Sequence, residues 1–190
     1  MTSHTSSYRR LFTKELVAVL FVCCMAFFAG EILVPILPLY MAHLGWDGRT
    51  IGLMFSVMMV GIALSEVFWG WVVDRVDIKI AIFMGTLMYG AIISALNFTH
   101  TLPLFVVVIF IYGVCRSPIF IVGRWFMSVY APPDLKAFAM ALLGASVGVV
   151  QSLSGFASGY VTQAWGFGTT FWLAAGIALT AGVVILIAGR

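Results

Sequence analysis

Charge is what this chain has least of. Lys and Arg number ten and Asp and Glu seven, together 9% of 190 residues, against roughly a quarter in soluble domains. That scarcity excludes an ordinary water-facing surface. The formal charge of +3, scattered along the chain, excludes a nucleic-acid footprint. Cysteine is rarer still. Cys23, Cys24 and Cys115 all lie in apolar runs, which reads as small buried side chains and excludes a disulfide framework. His43 and His100 have no partner at metal-ligand spacing, so no metal and no cofactor is expected. The patterns G-x-x-x-x-G-K-[ST], H-E-x-x-H and G-x-S-x-G are also missing. Neither an ATP-driven pump nor a familiar hydrolase is indicated, and no enzyme is expected.

What is present is apolar: 63% of residues are hydrophobic and the mean hydropathy is +1.12. A soluble chain of this size has too much surface to hide them, whereas lipid covers what water cannot. About 20 apolar residues cross a bilayer core as a helix, and six such runs occur, near 16–41, 51–73, 80–98, 102–124, 137–161 and 170–188. Helices are expected because an open sheet leaves backbone groups unpaired in hydrocarbon. The fold class is therefore an all-α membrane protein with a six-helix transmembrane bundle over 15–190. A basic segment, 1–14, precedes it and reads as retained, since the apolar run behind it is too long for a signal peptide. Cytoplasmic loops carry the excess of Lys and Arg. Arg9, Arg10, Lys14, Arg75, Lys79, Arg124, Lys136 and Arg190 share one side if the N-terminus is cytoplasmic, with only Arg49 outside. A multi-pass protein of the plasma or inner membrane is expected.

The chain also repeats weakly. SEVFWGWVVD at 65–74 closes the second span and SGFASGYVTQ at 154–163 closes the fifth, sharing a G-[WY]-V step. These ends fall on opposite sides. The pattern suggests two inverted three-helix repeats, a plan of secondary transporters.

Three ionisable residues lie inside predicted spans: Glu31, Glu66 and Arg116. Each costs about 2.5–3.5 kcal/mol in hydrocarbon unless something offsets it. At the α-helical rise, Glu66 and Arg116 fall roughly 10 and 12 Å from the inner ends of their spans, close enough to pair, whereas Glu31 is deeper, about 22 Å along. Pro35 has no N–H for the carbonyl of Glu31, and Pro38 none for that of Val34, so the first span is expected to kink. Such backbone belongs against protein or a wet cavity. Arg116 stands beside Pro118 in the fourth span, and paired interruptions point to a transport site. The competing readings are a protonated structural acid for Glu31, a tether pairing with Glu66 for Arg116, and an inner-loop contact for Glu66. Gly144, Gly148, Gly155 and Gly159 read as close helix packing at small-xxx-small spacing.

Between the second and third spans stands GWVVDRVDIK, 70–79. Gly70, Asp74, Arg75 and Lys79 resemble the inner-loop motif G-x-x-x-D-R-x-G-R-[RK] of the major facilitator superfamily, and six spans resemble one half of that fold. The resemblance implies a loop that latches the inner side: Asp74 accepts hydrogen bonds from a helix of the opposite bundle, and Arg75 and Lys79 hold acids or lipid phosphates. Asp77 replaces the second Gly, where Asp also supports a bend. Ile78 replaces an Arg and holds no acid. E-x-x-x-P from Glu31 to Pro35, then Pro38, Leu44 and Gly45, resembles the drug:proton antiporter branch, whose first-helix acid is protonated during exchange. The fifth span departs from that branch, lacking the Pro of its G-P-x-x-G-G ending.

The resemblance implies a secondary active transporter moving a small solute by alternating access. Its expected mode is proton-coupled efflux of amphipathic or drug-like compounds. The partners are solute, protons, the bilayer and a second six-helix bundle, from a longer reading frame or another chain. A uniporter or organic-anion symporter with Arg116 as anion partner is the alternative within transport. A non-transporting membrane assembly protein is the alternative outside it, and places Glu31 and Arg116 against each other or packed protein without a wet cleft.

Overall fold

Glycine and proline decide where these apolar helices begin, bend and end. The computed structural model describes residues 14–188. Residues 1–13, with Arg9 and Arg10, and the terminal Arg190 lie outside the described residues. Every described regular element is helical. The first two are α1 (Lys14–Glu31) and α2 (Leu33–His43), and together they form the first apolar stretch. Only Ile32 separates them, with φ −54° and ψ −37°. The prolines therefore loosen the stretch without unwinding it. Gly45, at φ +82°, ends it in a left-handed turn that a side chain would strain. There Gly45 N–H donates to Ala42 O at 3.0 Å and Trp46 N–H to Met41 O at 3.2 Å.

Next comes α3 (Gly48–Val73), opened by Asp47, whose Oδ1 accepts from Thr50 N–H at 3.0 Å. That bond satisfies one orphan donor of the helix start. Helix α4 (Ile78–Ala95) is capped the same way by Asp77, whose Oδ1 accepts from Lys79 N–H at 2.8 Å, and ends in a 3₁₀ turn, Leu96–Phe98. Helix α5 (Leu102–Tyr130) runs through Pro118 unbroken. It ends six residues beyond the expected boundary at Arg124. Last is α6 (Lys136–Ala188), in which Gly166, at φ 83° and ψ 172°, joins two helices across a kink.

Five stretches among the described residues are long and apolar enough to cross a bilayer, where six spans were expected. The difference lies in α6. The expected break at 162–169 is compressed into Gly166, and helix continues on both sides. A straight helix of 53 residues would be about 80 Å long, far more than one bilayer needs. Its contacts show the turn. Leu143 packs near Gly123, Phe167 and Phe171 pack on Tyr40, and Gly182 packs on Thr86. Thr162 and Thr170 share a 2.8 Å hydrogen bond across the kink.

The α3–α5 crossing is the tightest seam. A β-carbon on Gly61 would lie 2.5 Å from the Phe110 carbonyl oxygen, and one on Gly113 would meet that of Met58. Close backbone approach without side chains is how helices gain packing energy in lipid. Ser65 and Ser117 bond across this seam at 2.5 Å. The glycines expected to pack closely do not: Gly144, Gly148, Gly155 and Gly159 have nothing within 4 Å of a β-carbon. Spacing signals a smooth helical stripe, but a neighbour must be present for it to pack.

Candidate functional site

Glu31 ends α1 and Arg116 lies midway along α5, 85 residues apart in sequence. The fold brings them together: Arg116 Nη2 donates to Glu31 Oε1 in a salt bridge. Side-chain exposure is 6% for Glu31 and 13% for Arg116. In so dry a place, an ionic hydrogen bond offsets much of the cost of bringing either charge out of water.

The expected Glu66–Arg116 pair does not form. Glu66 is exposed on α3, away from Arg116's partner. The reason is the face each side chain takes, not its height. Ser65 bonds Ser117 across the α3–α5 seam, so their neighbours Glu66 and Arg116 lie at a similar level, but Glu66 is exposed whereas Arg116 turns toward α1 and Glu31.

Two tyrosines close the pair from the α4 side. Tyr89 O–H donates to the Tyr112 hydroxyl oxygen at 3.0 Å, and Tyr112 O–H reaches the Gly30 carbonyl at 3.4 Å. Both rings are buried. The chain of hydroxyls thus ends on the backbone one residue before Glu31. Sequence reasoning missed these tyrosines, since nothing in their spacing distinguishes them from core aromatics.

A crevice too tight to admit a water molecule adjoins the pair, lined by Ala26, Gly30, Tyr89, Ile119 and the rings of Phe27 and Phe120. It is narrow, and Glu31 does not stand in an open wet cleft. Phe27 and Phe120 meet edge to face, with centroids 4.4 Å apart. Behind them opens a larger cavity of about 470 Å³ between α1, α5 and the first half of α6, bordered by Arg124, Leu143 and Val147. Arg116 also lies over the Phe120 ring, 5.5 Å from its centroid, a cation–π contact. Phe120 therefore touches the ion pair on one side and the cavity on the other. Pro35 and Pro38 sit just beyond Glu31 in α2, and Pro118 packs its ring on Gly85 of α4.

The 70–79 segment forms the α3–α4 corner. Asp74 caps α3 through its backbone N–H, bonded to Gly70 O and Val72 O, and its side chain is exposed. Arg75 stacks over Trp71 at 4.3 Å and donates to the Trp71 carbonyl at 3.2 Å. Asp77 does not act as a stand-in for glycine. Its φ is −54°, and it works through its side chain, accepting from Lys79 N–H. Gly70 has open space around it.

Comparison with known proteins agrees with this architecture. The chain is similar to proteins named Multidrug resistance protein MdtG. It is 25% identical over 163 residues to that of Klebsiella pneumoniae (strain 342), covering 82% of this chain and 39% of the relative. It is 24% identical over 172 residues to that of Escherichia fergusonii, covering 87% and 41%. The chain thus spans about two fifths of the length of these relatives. The sequence profile described as Major Facilitator Superfamily matches residues 19–189. With nearly the whole chain inside that match, and an all-helical bundle of membrane-length helices built from it, the chain belongs to the Major Facilitator Superfamily.

Proposed function

We propose that this chain is the N-terminal six-helix half of a secondary active transporter that couples proton movement to efflux of amphipathic, drug-like solutes. The observation that carries the reading is the buried Glu31–Arg116 pair, parted from a cavity of about 470 Å³ by two aromatic rings. A carboxylate that gains a proton loses the charge its arginine partner holds. Protonation of Glu31 then frees Arg116 and the Phe120 ring stacked on it, and the α1–α5 contact changes with it. The relatives' printed name, a multidrug resistance protein, is consistent with such solutes.

In this reading α6 supplies two spans that reverse at Gly166, giving six spans as two inverted three-helix repeats. The N-terminus is cytoplasmic in the plasma or inner membrane, and Gly70, Asp74, Arg75 and Lys79 form the inner corner that latches against a second six-helix bundle. The uncovered glycine stripe of α6 and the exposed Leu64, Val67 and Phe68 of α3 are the faces such a bundle would cover. Glu66, exposed beside them, belongs to that inner contact rather than to the proton site.

In full-length protein reconstituted in vesicles, Glu31→Gln is expected to uncouple solute flux from the proton gradient. Unchanged pH-driven flux would defeat the proposal. The reading as a non-transporting assembly protein draws on the same pair, sealed on itself. Cysteines at 31 and 116 separate the two, since a water-soluble thiol reagent reaches a solute path but not a permanently dry seam.

A further inference from the structure

We infer that the cavity beside Arg124 is a binding site for an amphipathic anion: a sulfonate, phosphate or carboxylate head against Arg124 and an apolar body against Phe27, Phe120, Leu143 and Val147. The inference rests on the reading of this face as a solute path and names the chemical class it takes.

Three observations carry it. First, helix α5 continues to Tyr130, so Arg124 lies about 9 Å short of its end and carries an exposed side chain at the border of the cavity. Second, no acid lies within salt-bridge distance of it among the described residues, where the pair on the same helix is Arg116 with Glu31. Arg116, Phe120 and Arg124 are spaced four apart and share one helix face. Of the two arginines, Arg116 is neutralised and faces the narrow space, whereas Arg124 borders the large one. Third, the rest of the wall is apolar, with Met140 and Gly144 completing it. A volume of about 470 Å³ falls in the range of small-molecule sites, which join an apolar lining to a few polar groups that fix orientation. The wall carries one positive charge and no negative one, so it attracts an anion and repels a cation. The anion-partner role expected of Arg116 thus passes to Arg124.

Isothermal titration calorimetry of the purified full-length protein in a neutral detergent, at fixed pH and without any gradient, tests this. The probes are naphthalene-2-sulfonate and the size-matched 2-naphthyl-trimethylammonium. The sulfonate is expected to bind at least tenfold more tightly than the ammonium. Arg124→Gln should weaken it at least tenfold, Arg124→Lys should keep most of the affinity, and Arg49→Gln should leave it unchanged. Leu143→Trp fills the cavity with Arg124 intact and should also abolish binding, so the result stands even if an Arg124 variant misfolds. Sulfonate binding that survives both Arg124→Gln and Leu143→Trp, a preference for the ammonium, or no sulfonate binding at all overturns the inference. Added phosphatidylglycerol distinguishes sources of the same chemistry: competition assigns the site to a lipid phosphate, and its absence to a soluble anion. Because no proton gradient is present, a failure here is separate from unchanged flux in Glu31→Gln.

Discussion

The Tyr89 hydroxyl sits against the backbone of Gly30, in the space that a β-carbon on residue 30 would need. The contact fixes the end of α1 one residue before the buried acid, and Tyr112 bonds the same residue's carbonyl. Gly30→Ala must push the tyrosine away, and inserting a methyl into packed protein costs about 1–3 kcal/mol. Thermal unfolding of the full-length protein is expected to show that loss. Tyr89→Phe removes the clashing oxygen, so the double variant should regain part of it. A Gly30→Ala protein as stable as wild type would mean that the tyrosine is free to swing aside.

The Glu31–Arg116 pair makes a second test. Removing one partner leaves an uncompensated charge in a dry place, so Glu31→Gln and Arg116→Gln are each expected to lower stability, the latter by about 3–5 kcal/mol. The double replacement leaves no orphan and should cost well below the sum. Chemical denaturation of all four proteins gives the coupling directly. Additive losses would show that the two side chains do not stabilise one another in solution.

At the turn between α2 and α3, Asp47 caps α3, and hydrogen bonds from the Thr50 side chain and backbone hold its carboxyl below the usual carboxylate range. A lowered folded-state value adds stability that is present above the unfolded value and lost as pH falls through the folded one. Asp47→Asn keeps an acceptor for the helix start but cannot titrate. Wild type is therefore expected to lose more melting temperature than Asp47→Asn between about pH 5 and about pH 3. The gap should be small, because the group is exposed. Parallel melting curves across that window would remove the cap from the list of acid-sensitive contacts.

Much of this molecule was legible from apolar run length, because hydrocarbon leaves the backbone few choices. Partners were harder to read. The end of α5 was placed at Arg124, where a charge follows a long apolar run, but Trp125, Phe126 and Met127 carry the helix on to Tyr130. Run length also says nothing of face: Ser65 meets Ser117, yet beside them Glu66 turns outward and Arg116 turns to Glu31 on α1. At Gly166 the opposite happened: a polar-looking stretch, 162–169, was read as a loop, yet one left-handed glycine performs the whole break. Asp77 was read as a substitute for glycine's freedom, whereas its carboxylate caps a helix. Pattern gives the helices, but depth and neighbours come only from the packed bundle.

Glycine substitution on two faces should give opposite signs. On the α3–α5 seam, a β-carbon at Gly113 meets the Met58 carbonyl oxygen, and backbone cannot move aside cheaply. Gly113→Ala is expected to lose about 1–3 kcal/mol. On α6, Gly148 and Gly155 have no atom within 4 Å of that position, so alanine there removes only glycine's conformational cost, a gain of about 0.5–1 kcal/mol. Thermal unfolding of this chain expressed alone measures both. The informative comparison is with flux by the full-length protein. If Gly148→Ala stabilises the isolated chain but slows transport, the methyl group is meeting something that the chain itself does not supply, and the stripe is a sliding contact with a second bundle. If stability and flux both rise or both stay level, the stripe faces lipid throughout the cycle, and the small residues there serve no helix partner.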